Sequence, residues 1–221
     1  MNASDFNSNR LLMIPLLKSV FFILMGLILT INCKPRELDL TEYIAEHKSD
    51  TIFKLNHKRL KGDLKELGNL KDLEELELNY DGITKFPDIF HSMKNLKKLS
   101  LYGNSIQELP PSISQLMEVN TILLGKNPFN SIPESLKNLP NLQILTIDES
   151  NIRLTEKDVE ILSSLHKLEV LDLSENPGFI KTPSNIAKLG HIKSILLKKN
   201  SLDENERKKL YDALPKVSLS K

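Results

Sequence analysis

Residues 96–110 read LKKLSLYGNSIQELP. Apolar side chains fall at Leu96, Leu99, Leu101, Ile106 and Leu109, with Asn104 set among them. Leu99 and Leu101 alternate with Ser100 and Tyr102, the two-residue period of a strand buried on one face. Asn104 follows where the chain must leave the strand, and its amide can satisfy backbone groups that the turn strands without partners. Leu109-Pro110 closes the stretch, because proline fixes its own φ and holds its predecessor extended.

The same spacing returns along the chain. Aligned on the first strand position it shows Phe53, Leu76, Leu99, Ile122, Leu145, Leu171 and Ile195, at gaps of 23, 23, 23, 23, 26 and 24 residues. A near-constant period, with the Leu-x-x-Leu-x-Leu-x-x-Asn-x-Ile of residues 96–106 recurring in variant form, is a specific signal of a solenoid. On these residues the chain resembles the leucine-rich repeat family over roughly residues 53–202. The resemblance implies an α/β fold: a right-handed, curved solenoid of about seven rungs with a parallel concave sheet and short helical caps at both ends.

The chain has 221 residues, 40% apolar and 27% charged, with no tryptophan, so leucine and isoleucine must supply the core. Its formal charge is +1, and residues 33–221 balance at 28 basic against 28 acidic. No net field favours nucleic acid or an acidic membrane. Arg10 and Lys18 precede an apolar run at 19–31, short for a bilayer span and right for a signal-peptide core. Cys33, the single cysteine, ends the run Thr30-Ile31-Asn32-Cys33. That box resembles the bacterial lipobox, with Asn32 in place of the usual small residue, a looseness familiar in spirochaete lipoproteins. It implies cleavage after residue 32, a thioether-linked lipid on Cys33, and a place in the cell envelope, the outer membrane or cell surface being favoured. A plain signal peptide or an uncleaved anchor is the other reading.

Residues 33–52 are expected to link the anchor to an N-terminal cap, in which Asp39-Leu40-Thr41-Glu42 offers a capping box and Leu40, Tyr43, Ile44 and His47 share one helical face. Residues 53–202 form the repeats. Repeat one is degenerate, with Lys58 in the asparagine place; repeat two has Asp81 there and repeat five Ser150. Asn104, Asn127, Asn176 and Asn200 form the structural ladder that the family resemblance implies. The longest gap holds Thr155-Glu156-Lys157-Asp158, a capping box that predicts a true helix where sister repeats have 3₁₀ or irregular segments. Asn176-Pro177-Gly178 predicts a bulged turn. Residues 203–221 predict a C-terminal cap: a helix from Asp203 to Pro215, its Lys and Arg residues a solvated face, then a final edge strand at Val217 and Leu219.

Chemistry is conspicuous by what is missing. His-Glu-x-x-His, Gly-x-x-x-x-Gly-Lys-Ser/Thr, Gly-x-Ser-x-Gly and paired-cysteine boxes do not occur. His47, His57, His91, His166 and His191 are scattered, and the chain has room for no catalytic domain of the bacterial ubiquitin-ligase type. The expectation is no enzyme, no cofactor and no metal.

What remains is surface. In a solenoid the residues that alternate with the buried leucines point out of the strand face. The candidate binding residues on that concave face are His57, Glu77, Asn79, Tyr80, Ser100, Tyr102, Lys126, Asp148, Asp172 and Lys198. Tyr80 and Tyr102 should lie side by side near His57, and exposed tyrosines are typical anchors for a partner. Asp148, Glu149, Asp172 and Glu175 should form an acidic patch flanked by Lys198 and Lys199, without the loop signature of a calcium site. Seven rungs at ~4.8 Å by about 13 Å give on the order of 450 Å², below the ~800 Å² per partner of a standard interface. The expected function is a membrane-anchored, non-catalytic module that binds a protein partner, a host surface or matrix protein if it faces outward. The alternative is a structural or organising component of the envelope that binds periplasmic proteins.

Overall fold

A computed structural model describes residues 38–57, 60–137 and 139–220. Cys33, the signal-type segment and Lys58 lie outside the described residues. The order begins β1 (Leu38–Asp39), α1 (Leu40–Glu46), β2 (Ile52–Asn56), β3 (Leu60–Lys61) and β4 (Glu75–Asn79). It continues with β5 (Lys98–Ser100), β6 (Thr121–Leu123), β7 (Ile144–Thr146), α2 (Glu156–Ser163) and β8 (Val170–Asp172). It ends with β9 (Ser194–Leu196), α3 (Glu204–Ala213) and β10 (Ser218–Ser220).

Eight strands make one sheet in the order β10-β9-β8-β7-β6-β5-β4-β2, every neighbouring pair parallel. Parallel neighbours require a return of a dozen residues or more, which the 23-residue period supplies. The register runs Phe53, Leu76, Leu99, Ile122, Leu145, Leu171, Ile195 and Leu219, each opposite the next. From Leu76 to Leu171 the members of this spine are 0% exposed. Each buried leucine or isoleucine contributes roughly 1.5–3 kcal/mol, so the stack is held by its own repeat. The architecture is the α/β repeat solenoid anticipated above, and β10 adds a rung beyond the seven counted in the sequence.

The returns behave as their sequences dictate. Short 3₁₀ turns occupy Leu64–Asn69, Phe90–Ser92, Pro111–Gln115, Glu134–Leu136 and Ile186–Leu189, while the longest repeat carries α2. Both halves of the α2 capping box are present between Thr155 and Asp158. Asp158, 1% exposed, also accepts from Ile132 N at 2.7 Å, so the cap of one rung holds the backbone of another. Ser112 Oγ does the same for Phe90 N at 3.1 Å, and Glu206 Oε2 for Thr182 N at 2.7 Å. This second side-chain ladder, on the return side, was not anticipated.

The caps differ in detail from expectation. At the first, Asp39 accepts from Thr41 N and Glu42 N and starts α1. Asp39 also belongs to β1, which pairs with β3, a two-stranded ribbon with no period-2 signal long enough to reveal it. At the second cap Arg207 does not join the solvated face. Its guanidinium donates to Leu202 O at 3.0 Å and Asn200 O at 3.2 Å, satisfying carbonyls at the end of the last full repeat.

Candidate protein-binding face

The four ladder asparagines are buried, and three use both ends of the amide. Asn104 Oδ1 accepts from Asp81 N and Ile83 N at 3.1 Å, while its Nδ2 donates to Leu78 O at 2.7 Å and Leu101 O at 2.9 Å. Asn127 and Asn176 repeat the pattern, each bridging its own rung to the one before. Asn200 Oδ1 accepts from Asn176 N at 2.8 Å. Ser150 is too short to bridge rungs and donates only to Asp148 O, at 3.2 Å. These side chains hold the coil together and present nothing to a ligand.

The residue just before each asparagine place lies in the left-handed region: His57, Tyr80, Lys126, Glu149, Glu175 and Lys199 have φ between 47° and 59°, and Gly103 has φ 69°. An L side chain there costs on the order of 1 kcal/mol. For all of these but Lys199 the compensation is a ladder bond to the next rung: His57 N to Asn79 O, Tyr80 N to Tyr102 O, Gly103 N to Gly125 O, Lys126 N to Asp148 O, Glu149 N to Ser174 O and Glu175 N to Lys198 O. The turn therefore lines up one column of side chains along the edge of the sheet face.

Rings fill the N-terminal part of that column. His57 stacks on Tyr80 at 4.6 Å between centroids, and Tyr80 meets Tyr102 edge-to-face at 5.5 Å. Lys126 Nζ lies 5.6 Å from the Tyr80 centroid and 3.4 Å from Glu149, and Glu149 accepts a short hydrogen bond from the Tyr102 hydroxyl. A Cβ at Gly103 would come within 2.5 Å of the Tyr80 ring, and one at Gly125 within 2.7 Å of Tyr102 and 2.2 Å of Asp148. Both tyrosines thus lie along the solenoid in slots left by glycines 23 residues further on.

Charges on the face are mostly paired. Lys54 contacts Glu75 at 3.0 Å and Glu77 at 3.3 Å, and Lys98 reaches Glu77 at 2.5 Å. Burial opposes ionisation of Glu77, but hydrogen bonds from Lys98 and Lys54 outweigh it and hold the carboxyl below its usual range. Lys199 pairs with Glu175 at 2.7 Å. Among the described residues Asp148, Asp172 and Lys198 have no ion pair within 4.0 Å. Asp172 accepts from Ser174 N at 2.9 Å. Burial, then the nearby charges of Asp172 and Glu149, push the Asp148 carboxyl up from its ordinary value. The Tyr102 hydroxyl is pushed up as well, by burial and by its bond to Glu149.

The structure gathers His57, Tyr80, Tyr102 and Lys126 into one network and places Asp148 and Asp172 on adjoining rungs. Glu77 and Asn79 are half-buried on the same face. Asn79 Oδ1 accepts from Tyr102 N at 3.0 Å and from the Ser100 hydroxyl at 2.7 Å. Ser100, expected on the open surface, is 2% exposed and is taken up by that bond. Ile52 was missed. It pairs in register with Glu75 and is 49% exposed at the first rung, where the degenerate repeat hid its position on the face. Among the described residues no group of three or more His, Cys, Asp or Glu side chains is arranged to hold a metal, and no helix is long and apolar enough to cross a membrane.

A comparison with curated proteins returned no match. Among solved structures, a leucine-rich repeat protein of Leptospira interrogans aligns at 28% identity and TM-score 0.65, covering 74% of this chain and 41% of its own. This chain therefore spans about two fifths of that protein's length. Internalin C2 of Listeria monocytogenes shares the fold at 24% identity and TM-score 0.63, with 84% and 78% of the two chains covered. The ectodomain of the plant receptor kinase GASSHO1/SCHENGEN3 of Arabidopsis thaliana, solved with a bound integrity factor, aligns at 23% identity and TM-score 0.51, over 63% of this chain and 17% of its own. The family model of the leucine-rich repeat region matches residues 51–219, from the strand of the degenerate first repeat to the last rung. With that match over most of its length, the chain belongs to the leucine-rich repeat family.

Proposed function

We propose that the chain is a non-catalytic protein-binding module, held to a bacterial membrane by a lipid on Cys33, which recognises a protein partner through the open face of its sheet. The observation that carries this reading is the ring column His57–Tyr80–Tyr102, with Tyr80 38% exposed and the rings positioned before any partner arrives. A pre-set aromatic anchor loses little freedom on binding, and aromatic residues dominate the energetics of protein interfaces. Leucine-rich repeat proteins generally mediate protein–protein interaction, which the family membership brings to this chain.

Pull-down from host and bacterial lysates supplies the partner. Tyr80→Ala and Tyr102→Ala should each weaken its capture tenfold or more, about 1.4 kcal/mol, with the fold intact by circular dichroism. Undiminished capture by both variants moves the binding surface off this face. Lipidation is read by metabolic labelling with a fatty-acid analogue, which Cys33→Ala should abolish. Protease shaving of intact cells separates the two sites of action: a shaved protein faces outward, and a protected one favours the envelope-organising alternative.

A further inference from the structure

Every lysine–carboxylate pair on the face cancels locally, so the charges left for a ligand to read are Asp148 and Asp172, then Lys198. At the other end of the column of left-handed residues Tyr80 is 38% exposed, more open than the half-buried Leu123, Ile144, Val170 and Leu196 of the strands. Size limits what can sit there. Eight strands at ~4.8 Å span about 34 Å, and a width of a few residues cannot seat a globular surface of standard area. A segment in extended form, at ~3.3 Å per residue, covers that length with about ten residues.

Resting on the protein-binding reading above, we infer that the face accepts an extended segment of a protein partner, read in a fixed chemical order. An apolar side chain packs on Tyr80, a lysine or arginine sits over Asp148 and Asp172, and a carboxylate follows at Lys198. Spacing comes from the rungs. Tyr80 follows β4, Asp148 follows β7 and Asp172 ends β8, three to four rungs or roughly 14–19 Å away, which is about four to six residues of extended chain. Lys198 follows β9, one rung beyond Asp172, so the anion lies about one to two residues past the cation. The Tyr102 ring and the Asp148 carboxylate meet over Gly125, so the cation arrives beside an aromatic wall, an arrangement suited to a planar guanidinium.

A random decapeptide library panned on the full chain tests the order. Enriched peptides should carry an apolar residue, a Lys or Arg four to six positions away, and an Asp or Glu one to two positions beyond that. An enriched peptide, fluorescently labelled, should bind Asp148→Asn/Asp172→Asn at least tenfold more weakly by anisotropy. It should bind Asp72→Asn/Glu118→Gln, which removes the same charge from exposed positions elsewhere, within twofold of the parent chain. No enrichment, enrichment without the charge order, or equal loss in both variants overturns the inference. If those results coincide with loss of lysate capture by Tyr80→Ala, the protein-binding reading stands while the segment reading falls; if that capture is also unaffected, both fall.

Discussion

At the scale of single residues the balance is between polar groups that the fold satisfies and one that it leaves exposed to its neighbours' charge. Asn176 is 0% exposed and holds Ile152 N, Ile147 O and Leu173 O. Asn176→Ala strands three backbone groups and should lower stability by about 2–4 kcal/mol in urea unfolding. Asn176→Asp should do no better, because the carboxylate has no N–H to give. Asp148 works the other way. Its pKa is raised by burial and by nearby carboxylates, so the stability it contributes is present below its unfolded pKa of about 3.9 and is lost as pH rises through the folded value. Asp148→Asn should therefore raise Tm at pH 7, and the gain should vanish on acidification to about pH 3.5, below the unfolded pKa.

Elements obey local rules until two rungs share a group. Thr155→Ala removes an N-cap and should cost about 1 kcal/mol, the ordinary figure for one helix end. Asp158→Ala removes the other half of the box together with the acceptor for Ile132 N, and should cost about 2–4 kcal/mol. Comparing the two by urea denaturation separates a helix cap from a rung-to-rung clamp; equal losses would show that the clamp adds nothing. The sequence disclosed α2 and its box because the box is four consecutive residues. It did not disclose the clamp, since Ile132 lies 26 residues before Asp158 and only stacking brings them together. The same holds for the ring slots. A glycine one period after each tyrosine, Gly103 after Tyr80 and Gly125 after Tyr102, was written in the chain, but its meaning depended on which way the rings lie.

Across the molecule each rung touches chiefly its neighbours, so stability is a sum of rungs and interfaces. Excising residues 100–122, one whole period, joins Leu99 to Leu123 and preserves the register of every remaining strand. That shortened chain should still unfold cooperatively by circular dichroism, yet lose partner capture, because Tyr102 and the Gly103 slot go with the repeat. Excising 100–121 instead shifts the alternation by one residue and turns the leucine face outward, which should abolish the cooperative transition.

The period and the alternation of leucine with polar residues determined the solenoid, its rung count to within one, its parallel sheet and both caps. Those features follow from which side chains must leave water, and that is legible residue by residue. The residues on the open sheet face were legible only as a row. Tertiary structure decided that Ser100 is consumed by Asn79, that Ile52 joins the face, and that Asp148, Asp172 and Lys198 keep unpaired charge. Pairing of that kind is settled between residues about 23 positions apart, at distances of a few ångströms that only the stacked coil defines. The left-handed column shows the same division. At Tyr80, Lys126, Glu149 and Glu175 the residue type gives little reason for positive φ, and the backbone bond from each to the next rung is what holds it there.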